Sequence, residues 1–270
     1  MKELTTRSPV RFAILVTLAL FVVDGALALV VPRFFDDERV LQVSQDIGQY
    51  ALAIGLLTSL GWWRRAGFTK LPDARSLLVV LPLLIIPAIQ LLAFDLGTHD
   101  TVMIVVIIEA AIAAGFTEEA LFRGVILRAL EPIGLFAAAV LSSVLFGVVH
   151  LVNLVAGADL LLTVDQVVSA GALGFAFAAV VLVTGRIWPV IVIHAGMDIL
   201  GMLMAGDFIN REPSTLSIVQ VVVSNVVFTA LFAGYGYWLL RRHLRQAAQT
   251  GTGEPGATSG APGQRVVAGS

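Results

Sequence analysis

The sequence predicts an all-α fold, a polytopic membrane helical bundle of about eight transmembrane helices. Three observations carry that expectation. Of the 270 residues, 58% are hydrophobic and only 13% are charged, whereas soluble domains carry about 25% charged residues. The apolar residues gather into long runs, each near the about 20 residues that a helix needs to cross a ~30 Å hydrocarbon core. Charge and turn-forming residues are confined to the breaks between those runs.

The runs follow in order. Residues 10–31 come after a basic flank and read as an uncleaved first span, although Ala26 and Ala28 also suit a signal peptide. "RFFDDER" separates this run from 44–63, and "RRAGFTKLPDAR" separates 44–63 from 76–94. "DLGTHD" leads to 101–128, "LEPIG" to 134–154, and "GADLLLTVD" to 163–184. "TGRIWP" then gives way to 188–205, and "GDFINREPS" to 215–240. Residues 1–246 thus form one multi-span domain. Residues 247–270 are small, polar and rich in Gly and Pro, and read as a disordered cytoplasmic tail.

Basic residues orient the bundle. With both termini cytoplasmic, 14 of the 17 Lys and Arg residues fall inside, leaving Arg33, Arg39 and Arg211 outside. That positive-inside bias holds only for an even number of spans. A net charge of −2 gives no general affinity for nucleic acid, and the absence of cysteine excludes disulfides and thiolate chemistry. The preference for Arg over Lys, with abundant Ala, Gly and Val, points to a bacterial source and its cytoplasmic membrane. No internal repeat of the transporter type is present.

A charge near mid-bilayer costs about 2.5–3.5 kcal/mol even on the mildest insertion scale, so buried ionisable residues are functional suspects. Here they are Asp24, Glu109, Glu118, Glu119, Arg123, His150, His194 and Asp198. In "EEALFR", Glu119 and Arg123 lie four apart on one helical face, with the acid first, which suits a neutralising pair. Glu118 is turned ~100° away from Glu119, so it needs another partner and is a candidate general acid or base. "FGVVH" puts Phe146 and His150 on one face, and "HAGMD" does the same for His194 and Asp198. At ~1.5 Å per residue, Glu118, His150, His194 and Asp198 lie about 15, 24, 9 and 15 Å from one membrane face. Their convergence therefore needs helix tilt or an inward dip of the "TGRIWP" turn.

A glutamate and a histidine on neighbouring spans hold one water and remove its proton. His194 and Asp198 would then stabilise the oxyanion of an attacked carbonyl. Serine chemistry fits less well, because no G-x-S-x-G is present. Zinc is the main rival: Glu, two His and Asp make a hard donor set, yet there is no H-E-x-x-H.

"EEALFR", "FGVVH" and "HAGMD", in that order on three spans, resemble the motifs of the CAAX-protease and bacteriocin-processing family, the Abi-type intramembrane proteases. The pattern is E-E-x-x-x-R, F-x-x-x-H and H-x-x-x-Asn or Asp, and "TGRIWPVIVIHAGMD" is similar to the usual approach to the third motif. The likeness covers roughly 100–205. It implies a glutamate protease without a metal cofactor, in which Glu118 activates water with His150. Glu119 and Arg123 would support the site, Phe146 would shape it, and His194 and Asp198 would form the oxyanion side. Asp198 stands where the eukaryotic members have Asn, and an Asp stabilises an oxyanion only when protonated. It would otherwise hold His194 in one tautomer or keep it charged. Asp24 and Glu109 match no motif.

The expectation is therefore an intramembrane endopeptidase that needs no cofactor. Its partners would be membrane lipid and a peptide or membrane-anchored protein. A non-catalytic bacteriocin-immunity or peptide-binding protein, a zinc protease and a proton-coupled transporter are the alternatives.

Overall fold

The computed structural model describes residues 2–94, 101–155, 157–205 and 217–249, and among these every regular element is helical. A short helix, Lys2–Arg7, precedes the first long one. α1 (Pro9–Val30) opens with proline, whose fixed φ and missing N–H suit a first helical turn. α2 (Glu38–Leu60) is capped by the Asp37 side chain, which accepts from the Arg39 amide, and stops at Gly61 with φ of 70°. α3 (Ala74–Ala93) begins at a capping box between Asp73 and Ser76 and tightens to a 3-10 turn over Leu81–Leu84, where Pro82 interrupts it. α4 (Thr101–Ile133) is the longest hydrophobic helix by its bounds, and it widens to a π-helix over Ala120–Ile126. α5 (Leu135–Leu154), α6 (Leu160–Thr184), α7 (Trp188–Ala205) and α8 (Ile218–Gln249) complete the bundle.

Seven of these eight helices are long and apolar enough to cross a membrane, so the chain is an integral multi-pass membrane protein. The eighth, α2, differs from the uniform apolar span expected at 44–63. It is a 23-residue helix carrying Gln42, Gln45, Asp46 and Gln49 along one face. Those four polar residues lower its hydropathy and give it an interior face directed at a polar cavity. The "DLGTHD" break at 95–100 and the whole of "GDFINREPS" at 206–214 lie outside the described residues. α8 continues through Gln249, so the expected tail is helical over its first three positions, 247–249, and the remainder lies outside the described residues.

α6 is the central helix. It packs on α5 and α8 and is the most buried of the seven apolar spans. α4 packs against α7 and α2, and α1 packs against α2. The α4–α7 approach is close enough to require glycine. A Cβ on Gly115 would come within 2.8 Å of the Ala195 amide nitrogen. In lipid, where apolar burial drives no association, such small-residue contacts let helices gain dispersion and polar contacts.

Residues 67–73 dock on the turn that precedes α7. Arg186 pairs with Asp73 at 2.7 Å and donates from Nε to the Leu71 carbonyl. Trp188 Nε1 donates to the Phe68 carbonyl at 2.9 Å. These contacts fix the start of α7, and with it the depth of His194.

Candidate active site

The site is assembled from α4, α5 and α7, with a wall supplied by α1 and α2. Glu118 and Glu119 end the α-helical part of α4, immediately before the π-helix. Such wide turns are uncommon and frequent at functional sites. Glu119 and Arg123 are both fully buried, with Arg123 Nη1 3.0 Å from Glu119 Oε1. The same Glu119 oxygen lies 2.9 Å from His194 Nδ1. Glu119 is therefore more than the partner of Arg123 inferred from spacing, because its carboxyl joins α4 to the imidazole of α7.

The far edge of that imidazole faces two more acids. His194 Nε2 is 3.8 Å from Glu118 Oε2 and 3.5 Å from Asp198 Oδ2. Glu118 thus points away from the Glu119–Arg123 pair, as the helical phase expects. Its side chain retains 18% exposure where that of Glu119 retains none, because it borders the cavity.

His150 is held by a local change in helix geometry. α5 tightens into a 3-10 turn at His150–Leu154, and the His150 backbone N–H goes to the Gly147 carbonyl. The Phe146 carbonyl then accepts from His150 Nδ1 at 2.9 Å. A carbonyl only accepts, so Nδ1 carries the proton, and Nε2 of the neutral ring is left as a free acceptor. His150 so placed lines the same cavity as Glu118.

Phe146 is 2% exposed and sits at the hub of the site. Its ring lies 5.1 Å from that of His150 and 6.0 Å from that of His194, edge-on to both. The Arg123 guanidinium stacks over it at 4.2 Å, a cation–π contact that shields a buried charge. Gly174 of α6 leaves the room that this stack needs. A Cβ there would fall 2.6 Å from Arg123 Nη2 and 2.9 Å from Phe146 Cδ1.

Glu118, His150, His194 and Asp198 share one cavity of about 170 Å3. Its opposite wall was not among the sequence candidates, Asp24 apart. Asp24 of α1 accepts from Gln49 Nε2 at 3.1 and 3.2 Å, and Gln49 Oε1 accepts from the Thr117 hydroxyl at 2.9 Å. Gln45 Nε2 donates to the Asp24 carbonyl, and Gln42 Nε2 donates to Asp46. This chain of amides ties α1 through α2 to the residue preceding Glu118. The sequence does contain the signal for it: positions 42, 45, 46 and 49 repeat at helical spacing, making a polar stripe on a membrane helix. Glu109 is exposed on α4 and is not among the residues that line this cavity. Among the described residues, no three His, Asp or Glu side chains are disposed to hold a metal ion.

All seven residues singled out by the three motifs lie inside one matched segment. Residues 100–200 match the Rce1-like family. The matching description is type II CAAX prenyl endopeptidase Rce1-like, so the resemblance carried by the motifs is shown over this stretch. No curated protein and no solved structure matches the chain. Asp24, Asp46 and the three glutamines fall outside the matched segment.

Proposed function

We propose that the protein is an intramembrane endopeptidase of the glutamate type, acting on a membrane-associated protein or peptide in a bacterial cytoplasmic membrane, with both termini cytoplasmic and no metal cofactor. The observation that carries this reading is the convergence of Glu118, His150, His194 and Asp198, from three helices, on one polar cavity.

A water between Glu118 and His150 Nε2 directs one hydrogen to each. As its oxygen bonds to the peptide carbonyl carbon, one proton passes to the Glu118 carboxylate and the carbonyl electron pair becomes an oxyanion. Proton removal by a positioned base contributes typically 10²–10⁴-fold. His194 Nε2–H then donates to the oxyanion, where preorganised donors in a water-poor site are worth most. Glu119 accepts from His194 Nδ1, which sets the orientation of the ring, and Asp198 at 3.5 Å holds its Nε2 edge. Asp198 so placed suits an orienting acid better than a direct oxyanion donor. Collapse of the intermediate breaks the C–N bond, and Glu118 returns its proton to the departing amine.

The test uses purified protein in proteoliposomes with a fluorogenic peptide ending in a farnesylated CAAX sequence. In parallel, membrane-protein termini are compared between cells carrying wild type and Glu118→Gln. Wild type cleaves, and Glu118→Gln and His150→Asn lose at least about 10²-fold in rate with circular dichroism unchanged. His150→Asn retains a donor to the Phe146 carbonyl and lacks only the Nε2 acceptor. Full activity in either folded variant, or no new termini from wild type in either assay, rules the mechanism out.

A further inference from the structure

Between α3 and α8, with Val183 of α6 at its base, runs a groove of about 820 Å3 that shares no lining residue with the catalytic cavity. Its mouth carries Arg75, Arg242 and His243, and its walls are apolar, with Leu78, Pro82 and Leu239. A second hollow of about 560 Å3 shares Pro82 and Tyr235 with the first and extends it along Ile85 and Leu231. The Tyr235 hydroxyl donates to the Val79 carbonyl at 2.5 Å, which pins α8 to α3 where the two hollows meet.

The charges at the mouth are one-signed. Arg65, Arg128 and Arg186 each have a carboxylate partner. Arg75 and Arg242 have none within ion-pair distance among the described residues. The Arg242 guanidinium lies 5.6 Å over the Trp238 ring, and Trp is the residue that membrane proteins place at the headgroup level. Arg241 and Arg245 line an adjoining hollow with the same Trp238.

Length fixes the kind of occupant. From Arg242 back to Leu231 the helix advances about 16 Å at its rise of 1.5 Å per residue. That is close to half of the ~30 Å hydrocarbon core, so the groove runs from a headgroup level to about mid-bilayer. Unpaired cations at one end and a leaflet-deep apolar channel behind them match an anionic headgroup joined to an acyl chain. A zwitterionic headgroup brings its own cation and gains little there.

We propose that the α3–α8 groove is a binding site for one anionic phospholipid, its phosphate between Arg75 and Arg242 and an acyl chain along Pro82 toward Leu231. One wall of the groove, α3, also touches α7 farther along its length. Gln90 of α3 donates to the Met197 carbonyl of α7, one residue before Asp198. The proposal is independent of the proteolytic mechanism.

Native mass spectrometry of protein released from nanodiscs of equal palmitoyl-oleoyl phosphatidylglycerol and palmitoyl-oleoyl phosphatidylcholine tests it. Wild type retains one phosphatidylglycerol with about 30-fold preference, since two surface arginines each favour an anionic lipid by roughly 1 kcal/mol. Arg75→Gln with Arg242→Gln brings the preference close to parity, and each single variant lowers it by a smaller factor. Both side chains are exposed, so these variants are expected to fold. Arg33→Gln, outside the groove, leaves the preference unchanged. Equal retention of the two lipids by wild type, or a preference untouched in the double variant, overturns the proposal.

Discussion

Glu119 Oε1 lies 2.9 Å from His194 Nδ1, and this one oxygen also accepts from Arg123. A fully buried carboxyl thereby serves two cationic or proton-bearing neighbours on two helices. Removing it strands a buried guanidinium and releases the imidazole together.

Stability of the Glu119–Arg123 pair is the first consequence. Breaking a buried pair by removing one partner costs about 3–5 kcal/mol, whereas replacing both by apolar residues is often near neutral. Glu119→Leu and Arg123→Met should each lower the unfolding midpoint sharply in denaturant titrations in detergent. The double variant should recover most of the loss and stay inactive. Additive losses would mean that the two side chains act separately.

Gly174 should tolerate no side chain. With Arg123 Nη2 and Phe146 Cδ1 both inside contact distance of a new Cβ, Gly174→Val forces the guanidinium off the Phe146 ring. Overpacking costs typically about 1–3 kcal/mol, and displacement of Arg123 disturbs Glu119 and His194 as well. Cleavage should fall by more than the loss of folded protein explains, as read from rate per folded molecule.

Gln49 couples the part of the chain before the matched segment to the site. Gln49→Leu takes the side-chain donor from the Asp24 carboxyl and unties Thr117, whose hydroxyl keeps the Ala113 carbonyl. A buried polar group left unsatisfied costs about 1–3 kcal/mol. A lowered unfolding midpoint together with a reduced kcat is the expected pair of results. An unchanged kcat would make the bridge a structural tie alone.

Chelation separates the metal reading from the glutamate one. Cleavage by the wild type should survive prolonged treatment with a strong chelator. Loss of activity that zinc restores would instead favour a metal-activated water.

At the membrane edge, the Asp73 cap should give α3 a pH dependence. The Ser76 amide donates to its carboxylate, and with Arg186 alongside this holds Asp73 below its ordinary 3.8. The folded pKa is depressed, so the stabilisation is present above 3.8 and is lost as pH falls through the lower folded value. Amide exchange at Ser76 should speed up in that acid range relative to neighbours, and Asp73→Ala should abolish the difference.

Much of this molecule was legible in its sequence because two simple regularities suffice. A membrane helix must be long and apolar, which marked the spans at 10–31, 76–94, 101–128, 134–154, 163–184, 188–205 and 215–240. An ionisable residue within one stands out, which marked Glu118, His150, His194 and Asp198. Helical phase also separated Glu118 from Glu119 correctly, because both lie in the regular α-helical part of α4. What phase alone does not contain is the geometry beyond that point. The π-helix at Ala120–Ile126 lies between Arg128 and Glu118 and changes rise and rotation there, so a uniform α-helical count does not hold over that stretch.

Which groups actually meet was decided by the tertiary structure. The link from Glu119 to His194 joins residues 75 positions apart, and it depends on the close Gly115–Ala195 approach of two helices. The polar wall from α1 and α2 likewise exists only once Gln49 reaches Asp24 and Thr117 at the same time. The sequence by itself determined the class of fold, the polar residues that lipid will not tolerate unpaired, and the three motifs. Packing assigned their partners, because hydrogen bonds between helices depend on ångström-level distances that no spacing along a single chain specifies.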